Sequence, residues 1–229
     1  MSPRAKESIV TADVVVGYNT YLKLVEDLLT TQEIIGTGMM QEIDRCNAAV
    51  EQAMTGKKVA VVSSGDPGIY GMAGLVLELV QKHPEDLRPN VTVVPGISAV
   101  GAAAAVLGAP LMHDFAVISL SDLLTPWDLI KKRVEMAASG DFVIALYNPK
   151  SHRRVSQIEE VKEIVLNYRA ASTPVGIVNN ASRQGETMTI ARLDDFTQQH
   201  IDMFSLVLIG NSQTYTKDGR MITPRGYKL

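Results

Sequence analysis

The chain has 229 residues, which is enough for one large domain or two small ones with a core that needs no disulfide or metal. Its net charge of −3 and its hydrophobic share of 46% give no argument for a nucleic-acid or membrane partner. The only cysteine, Cys46, cannot form an intrachain disulfide, and the four scattered histidines offer no metal-ligand spacing. No apolar run reaches membrane-spanning length and the N-terminus lacks a signal-peptide pattern, so we expect a cytoplasmic protein without a bound metal.

In chain order, the first half alternates short apolar strands with helices. Ser2 and Pro3 are typical of a helix start and lead into a helix over 4–11. The elements predicted after it are a strand over 13–17, helices over 18–29 and 40–54, a strand over 59–63, a helix over 69–82, a strand over 91–94 and an alanine-rich helix over 98–107. Cys46 falls on an apolar helix face and is expected in the core. This alternation indicates a mainly parallel sheet covered on both faces.

The second half begins where the segment 108–126 breaks this alternation. We place the domain boundary there, which gives an N-terminal α/β domain over 1–113 and a C-terminal α/β domain over 114–229. The elements predicted in the second domain are a strand over 115–120, a helix from Trp127 to Gly140, a strand over 141–147, a helix over 156–170 and a strand over 174–178. Two further β-rich stretches, 186–191 and 204–209, predict antiparallel pairs and therefore a mixed sheet.

Two strand-to-helix junctions carry the strongest functional signal. The strand over 59–63 runs into Ser-Gly-Asp-Pro-Gly-Ile-Tyr-Gly at 64–71, and the strand over 91–94 runs into Pro-Gly-Ile-Ser-Ala at 95–99. Such junctions leave backbone N–H groups unpaired at the carboxyl ends of buried strands, where open α/β sheets bind ligands. Two of them in one half of the chain predict a small-molecule site.

Both junctions resemble those of the tetrapyrrole methylases, two-domain α/β enzymes that bind S-adenosylmethionine in the cleft between their domains. Further stretches resemble the C17-methyltransferases of that family, which act on precorrin-3B or cobalt-factor III; they are 16–21, 111–115, 119–127 and 222–227. The resemblance covers essentially the whole chain. It implies methyl transfer to C17 of the macrocycle with ring contraction, in cobalamin biosynthesis, by a homodimer.

The resemblance also implies a fold, with a mainly parallel N-terminal sheet, a mixed C-terminal sheet and the cofactor cleft between them. Family members begin with a strand and a glycine-rich loop of the Gly-x-Gly-Pro-Gly type, which precede the helix that matches residues 3–11. The present sequence starts at that helix. We therefore expect this strand and its loop to be missing from the sheet.

Loop residues at strand ends are the cofactor contacts that the resemblance implies. They are Gly65, Asp66, Ile69, Ser98, Ala99, Asn148 and Ala181. Asp66 and Ser98 equally fit an Asx turn or a helix cap. Because S-adenosylmethionine is already an activated donor, the protein mainly has to hold donor and acceptor in line, and the sequence shows no firm general base.

The substrate macrocycle bears carboxylates, so it calls for arginine and lysine donors and for aromatic or apolar walls. The candidates for these contacts are Tyr18, Tyr21, Lys150, Arg153, Arg154 and Arg183. The two tyrosines also fit a helix-packing face, and the four basic residues also fit a solvated loop. The candidates for acid–base or lactone chemistry in the ring contraction are Asp114, Ser119, Ser121 and Asp122. Their alternative role is hydrogen bonding within a linker.

Two alternative functions fit parts of the sequence. One is a different tetrapyrrole methylase, or a relative with the same fold that acts on protein or RNA; the block over 119–127 argues against it. The other is a non-catalytic nucleotide-binding or regulatory module, which the absent glycine-rich loop favours. The sequence argues against a dinucleotide-dependent oxidoreductase, because no Gly-x-Gly-x-x-Gly follows a predicted strand.

Overall fold

The computed structural model describes residues 1–228, and these form two compact units. The first unit is Met1–Ser98, and the second begins at Ala99. The sequence places the domain boundary later, after residue 113. The two divisions differ because the helix Ala99–Leu107 buries Ala103 and packs against strands of the second unit.

A three-stranded parallel sheet forms the centre of the first unit. Its strands, in the order β2-β1-β3, are β1 (Val14–Tyr18), β2 (Glu33–Thr37) and β3 (Val59–Val62). The helices are α1 (Pro3–Val10), α2 (Asn19–Lys23), α3 (Glu42–Met54) and α4 (Ala73–Gln81). The parallel sheet predicted for the first half is confirmed. Cys46 is buried on α3 as predicted, and this burial raises the pKa of its thiol.

Two predictions for this unit are wrong in detail, and one strand is not predicted. The strand over 91–94 is not formed, because none of the strands in the described chain pairs with these residues. The helix over 18–29 ends already at Lys23 and is followed by a short 3-10 turn. The sequence pattern misses β2, since this edge strand leaves Ile34 exposed and so lacks a continuous buried run.

Within residues 99–228, the second unit contains two sheets and three α-helices. Its small sheet, in the order β10-β11-β4, joins β4 (Gly108–Ala109), β10 (Tyr215–Lys217) and β11 (Arg220–Ile222). Its large sheet, in the order β5-β6-β9-β7-β8, joins β5 (Phe115–Ser119), β6 (Val143–Tyr147), β7 (Pro174–Asn179), β8 (Thr187–Arg192) and β9 (Ser205–Ile209). The helices are α5 (Ala99–Leu107), α6 (Trp127–Ser139) and α7 (Gln157–Leu166).

Strand directions in the large sheet confirm the predicted mixed sheet. Strand β5 is parallel to β6, whereas β9 lies antiparallel between β6 and β7, and β8 is antiparallel to β7. Helices α6 and α7 cover one face through residues such as Ile130 and Val161, and α5 covers the other through Leu107. Both faces are therefore apolar, as the unbroken runs in β6 and β9 require.

Gly176 in β7 lies directly against Leu107 of α5. A Cβ atom at this position would lie 2.4 Å from Leu107 Cδ1. We expect Gly176→Ala to lower the free energy of unfolding by about 1–3 kcal/mol, because the core must then shift to accept the methyl group. Urea denaturation measures this loss. The control is Gly74→Ala in α4, where a Cβ meets nothing within 4 Å; an equal loss there would contradict the packing argument.

Candidate functional site

In the first unit, the Asp66 carboxylate joins the two loops that the sequence singles out. Its Oδ1 accepts a hydrogen bond from the Gly68 backbone N–H at 2.8 Å, and its Oδ2 accepts one from the Gly96 N–H at 2.9 Å. The first bond is the Asx turn that the sequence offers as an alternative. The second spans thirty residues of sequence. Asp66 therefore holds the loops at fixed positions relative to each other.

The two loops approach so closely that Gly96 leaves no room for a side chain. A Cβ atom at this position would lie 1.9 Å from the Gly65 carbonyl oxygen. Gly65 itself has a φ of 72°, in the left-handed region. The structure thus brings Gly65, Asp66 and the Gly96 loop together, and Ile69 lies half-exposed on the same turn. Ser98 and Ala99 follow at the start of α5.

In the second unit, Asn148 follows the carboxyl end of β6 in a left-handed conformation, with a φ of 50°. Its side-chain Nδ2 donates a hydrogen bond to Ser119 Oγ at 3.0 Å, and its carbonyl oxygen accepts one from Arg154 Nη2 at 2.9 Å. These bonds hold a conformation that an L-residue rarely adopts by itself. Asn148 is consequently fixed on both sides at the edge of the sheet.

Ala181 lies at the same edge as Asn148. Strands β6 and β7 are both antiparallel to β9, so they run parallel to each other and their carboxyl ends share one edge. Ala181 stands between two left-handed residues, Asn180 and Ser182, just after β7. At the end of β7 itself, Asn179 is buried and its Oδ1 accepts no hydrogen bond from the described residues. A buried acceptor without a donor is costly, and a ligand donor would satisfy it.

The four candidates for acid–base chemistry do not lie together. Ser119, Ser121 and Asp122 stand at the carboxyl end of β5, whereas Asp114 precedes the strand at its opposite end. The Ser121 backbone N–H donates to Ser119 Oγ at 3.2 Å. Asp122 accepts a hydrogen bond from Gln157 Nε2 at 3.2 Å. These contacts are the hydrogen bonding that the sequence offers as the alternative role.

Arg154 connects the end of β5 with the loop after β6. Its Nη1 lies 3.7 Å from Asp122 Oδ1, while its Nη2 holds the Asn148 carbonyl. The side chain is mostly buried, and its Nε has no hydrogen-bond partner among the described residues. The contacts show Arg154 positioning Asn148. Lys150 and Arg153 lie on the same loop, and Arg183 follows β7 at the same edge.

The aromatic candidates lie at the carboxyl end of β1. The rings of Tyr18 and Tyr21 meet edge to face, with centroids 5.2 Å apart. The Arg45 guanidinium lies 5.6 Å from the centroid of the Tyr18 ring and donates to the Gly38 carbonyl at 3.3 Å. The sequence analysis misses Arg45, because its position on α3 matches the buried face of a helix and nothing marks a buried arginine in advance.

Metal ligands and membrane-spanning helices are the remaining features of residues 1–228. No group of three or more His, Cys, Asp or Glu side chains in this part of the chain could hold a metal ion. Among its helices, none combines the length and the apolar composition needed to cross a membrane.

Comparison with known proteins identifies a family and several relatives. Residues 1–197 match the family described as Tetrapyrrole (Corrin/Porphyrin) Methylases. The probable cobalt-factor III C(17)-methyltransferase of Salmonella typhimurium is 50% identical over 229 residues, which are 100% of this chain and 94% of that protein. The cobalt-factor III methyltransferase of Priestia megaterium is 51% identical over 100% of this chain. This chain spans 43% of that longer protein.

A solved structure extends the likeness from sequence to fold. The crystal structure of the methyltransferase CobJ matches with a TM-score of 0.91 at 35% sequence identity. The match covers 98% of this chain and 93% of that one. The mixed α/β fold described above is therefore the fold of that methyltransferase.

Proposed function

Because this chain belongs to the tetrapyrrole methylase family, we propose that it transfers a methyl group from S-adenosylmethionine to C17 of precorrin-3B or cobalt-factor III. The transfer accompanies ring contraction in cobalamin biosynthesis. The observation that carries this proposal is the 50% identity, over the whole chain, to a protein named for this reaction. The loops after β3 and β6 support it, since α/β proteins bind small molecules at the carboxyl ends of such strands.

The residues at these edges fit S-adenosylmethionine. The adenosine and amino-acid parts of this molecule carry N–H and O–H donors, and Asn179 offers a buried oxygen that lacks one. Gly65 carries no side chain, so a ligand can approach its peptide group closely, whereas the space beside Gly96 is filled by the Gly65 carbonyl oxygen. When bound, S-adenosylmethionine supplies an already activated methyl group.

The contribution of the chain is positioning. Asp66 fixes the relative position of the two loops in the first unit, and Arg154 fixes Asn148 in the second. Both groups are held before any ligand arrives, so less ordering is left for the moment of binding. Holding two reactants in line is worth several orders of magnitude in rate, about 10⁵ or more in effective molarity. Preorganised loops are what such a reaction requires.

Calorimetric titration with S-adenosylhomocysteine tests the cofactor proposal. We expect micromolar binding at one site per chain, and loss of that binding in Gly65→Trp, because the indole would fill the loop. Gly74→Trp is the matched control, since Gly74 lies in open space on α4 and should bind normally. Absence of binding to the unsubstituted chain would contradict the proposal.

Mass spectrometry of the reaction with cobalt-factor III or precorrin-3B tests the methyl transfer itself. We expect a product heavier by one methyl group in place of a hydrogen, with the new methyl at C17. A methyl group at another position would favour a different member of the family. Binding of S-adenosylhomocysteine without any product from either macrocycle would favour the non-catalytic ligand-binding alternative.

We further propose that the chain works as a homodimer in the cytoplasm. The dimer is supported by the family resemblance, and the compartment by the single, buried cysteine, which cannot form an intrachain disulfide. Light scattering after gel filtration should give twice the chain mass of 24.9 kDa. A mass of one chain at micromolar concentration would contradict the dimer.

A further inference from the structure

Two exposed leucines lie between β5 and α6. Leu124 is 94% exposed and Leu123 is 68% exposed. No other large apolar side chain in residues 1–228 has an exposed fraction as high as that of Leu124. Adjacent leucines in water are unfavourable, and a pair of this kind marks a surface that another molecule covers.

The residues before the leucines are fixed. The Ser121 backbone N–H is bonded to Ser119 Oγ, and the Asp122 carboxylate meets both Arg154 and Gln157. These three contacts hold the start of the loop to the end of β5, to Arg154 and to the start of α7.

The residues after the leucines are fixed as well. The Pro126 carbonyl accepts hydrogen bonds from the Leu129 and Ile130 backbone N–H groups in the first turn of α6. The Trp127 indole Nε1 donates to Glu160 Oε2 on α7 at 2.9 Å. The leucine pair is consequently presented on a loop with two anchored ends, and its exposure does not come from a loose terminus.

The residues near the leucine pair indicate which kind of molecule covers it. Ser119 connects the leucine loop directly to Asn148, one of the candidate cofactor contacts, through two hydrogen bonds to its Oγ. Lys150 and Arg153 lie on the loop that begins at Asn148. An apolar pair and two cationic side chains on a neighbouring loop thus occur at the same edge of the sheet. A molecule that matches both has a broad apolar face and carboxylates at its rim.

We propose that Leu123 and Leu124 bind the apolar face of the tetrapyrrole-derived macrocycle, while the cations of the neighbouring loop bind its carboxylates. This inference rests on the proposed function and adds the residues that contact the substrate. A leucine pair gives apolar contact without polar atoms, so it favours the ring over smaller, more polar metabolites. The pair stabilises the bound substrate and the transition state equally. It therefore contributes to affinity more than to turnover.

The test is absorbance titration of the full chain with cobalt-factor III, combined with steady-state kinetics. We expect Leu124→Ser to weaken macrocycle affinity about tenfold, from the apolar area lost, and to raise KM equally. The kcat and the affinity for S-adenosylhomocysteine should stay unchanged. Leu124→Met should restore affinity, because it keeps the apolar contact. Leu87→Ser is the control, since Leu87 is 57% exposed in the turn after α4 and should leave all constants unchanged.

Other results would overturn the inference. Unchanged macrocycle affinity in Leu124→Ser, and in the double variant that also carries Leu123→Ser, would do so directly. A loss of dimer mass in these variants at unchanged affinity would mean that a second copy of the chain covers the leucines. Binding of the macrocycle through the leucines without methylation would contradict the proposed function alone. A chain that bound no macrocycle would contradict both proposals.

Discussion

Replacing Gly96 by alanine is expected to abolish measurable binding of S-adenosylhomocysteine. The new Cβ would lie 1.9 Å from the Gly65 carbonyl oxygen, a backbone atom that cannot rotate away. The two loops must therefore separate, and the hydrogen bond between the Gly96 N–H and Asp66 is lost with them. We expect the affinity to fall by about two orders of magnitude or more, since both loops leave their binding positions.

Calorimetry of three proteins measures this effect. The unsubstituted chain and Gly74→Ala should bind alike, because a Cβ at Gly74 meets open space on the helix that follows the same loop. Circular dichroism should show that Gly96→Ala keeps its helices, since the change lies outside every helix and strand. Normal binding by Gly96→Ala would refute the close approach of the two loops.

Replacing Asp141 by asparagine is expected to produce the second large effect, on stability. Arg169 is 3% exposed, and its Nη1 lies 2.7 Å from Asp141 Oδ1. The guanidinium also donates to the Ala138 and Phe142 carbonyls, but Asp141 is its ion-pair partner in the structure. Burial lowers the pKa of Arg169 and the Asp141 carboxylate opposes this shift. Removing the carboxylate leaves a buried charge unpaired.

Asp141→Asn removes the negative charge and leaves the backbone conformation unchanged. Asp141 has a φ of 59°, a conformation that asparagine also tolerates, so backbone strain changes little. Breaking a buried pair costs about 3–5 kcal/mol, but the 41% exposure of the Asp141 side chain lets solvent screen the interaction. We therefore expect a loss of about 2 kcal/mol in the free energy of unfolding. Asp141 also accepts bonds from Ser212, which adds to the loss.

Urea denaturation compares this variant with a surface control. Asp128→Asn removes a carboxylate that is paired with Lys131 on α6 but lies 92% exposed. Its effect should stay within about 0.5 kcal/mol, as is usual for exposed pairs. Equal losses in the two variants would show that the burial of Arg169 does not determine the stability lost with its ion-pair partner.

The local parts of the fold could be predicted from the sequence because they depend on local patterns. The buried valines of β1 form an unbroken apolar run, and the glycine-containing turn after β3 marks the end of a strand. The strand over 91–94 has an equally good pattern, but a strand also needs a partner, and partners are not encoded locally. Edge strand β2 fails for the opposite reason, since pairing stabilises a segment whose pattern is weak.

The candidate site divides in the same way. Asp66 could be singled out by its loop, but its bond to Gly96 depends on two loops thirty residues apart in sequence. The separation of Asp114 from Ser119 follows from strand direction alone, once the strand between them is known. The roles of Arg154 and Arg45 could not be predicted from the sequence. Their guanidinium groups contact carbonyl oxygens and an aromatic ring that only the folded chain brings close to them.

The order of strands in the large sheet has a consequence for synthesis of the protein. Strand β9 is made last among the five, yet it lies between β6 and β7 and is hydrogen-bonded to both. A ribosome-bound chain that ends before Ser205 can form the pairs β5–β6 and β7–β8, but it lacks the strand that is hydrogen-bonded to both pairs. Asn148 and Ala181, two candidate site residues, are therefore linked through one hydrogen-bonded sheet only after β9 has been made. A product that ends before Ser205 lacks this link.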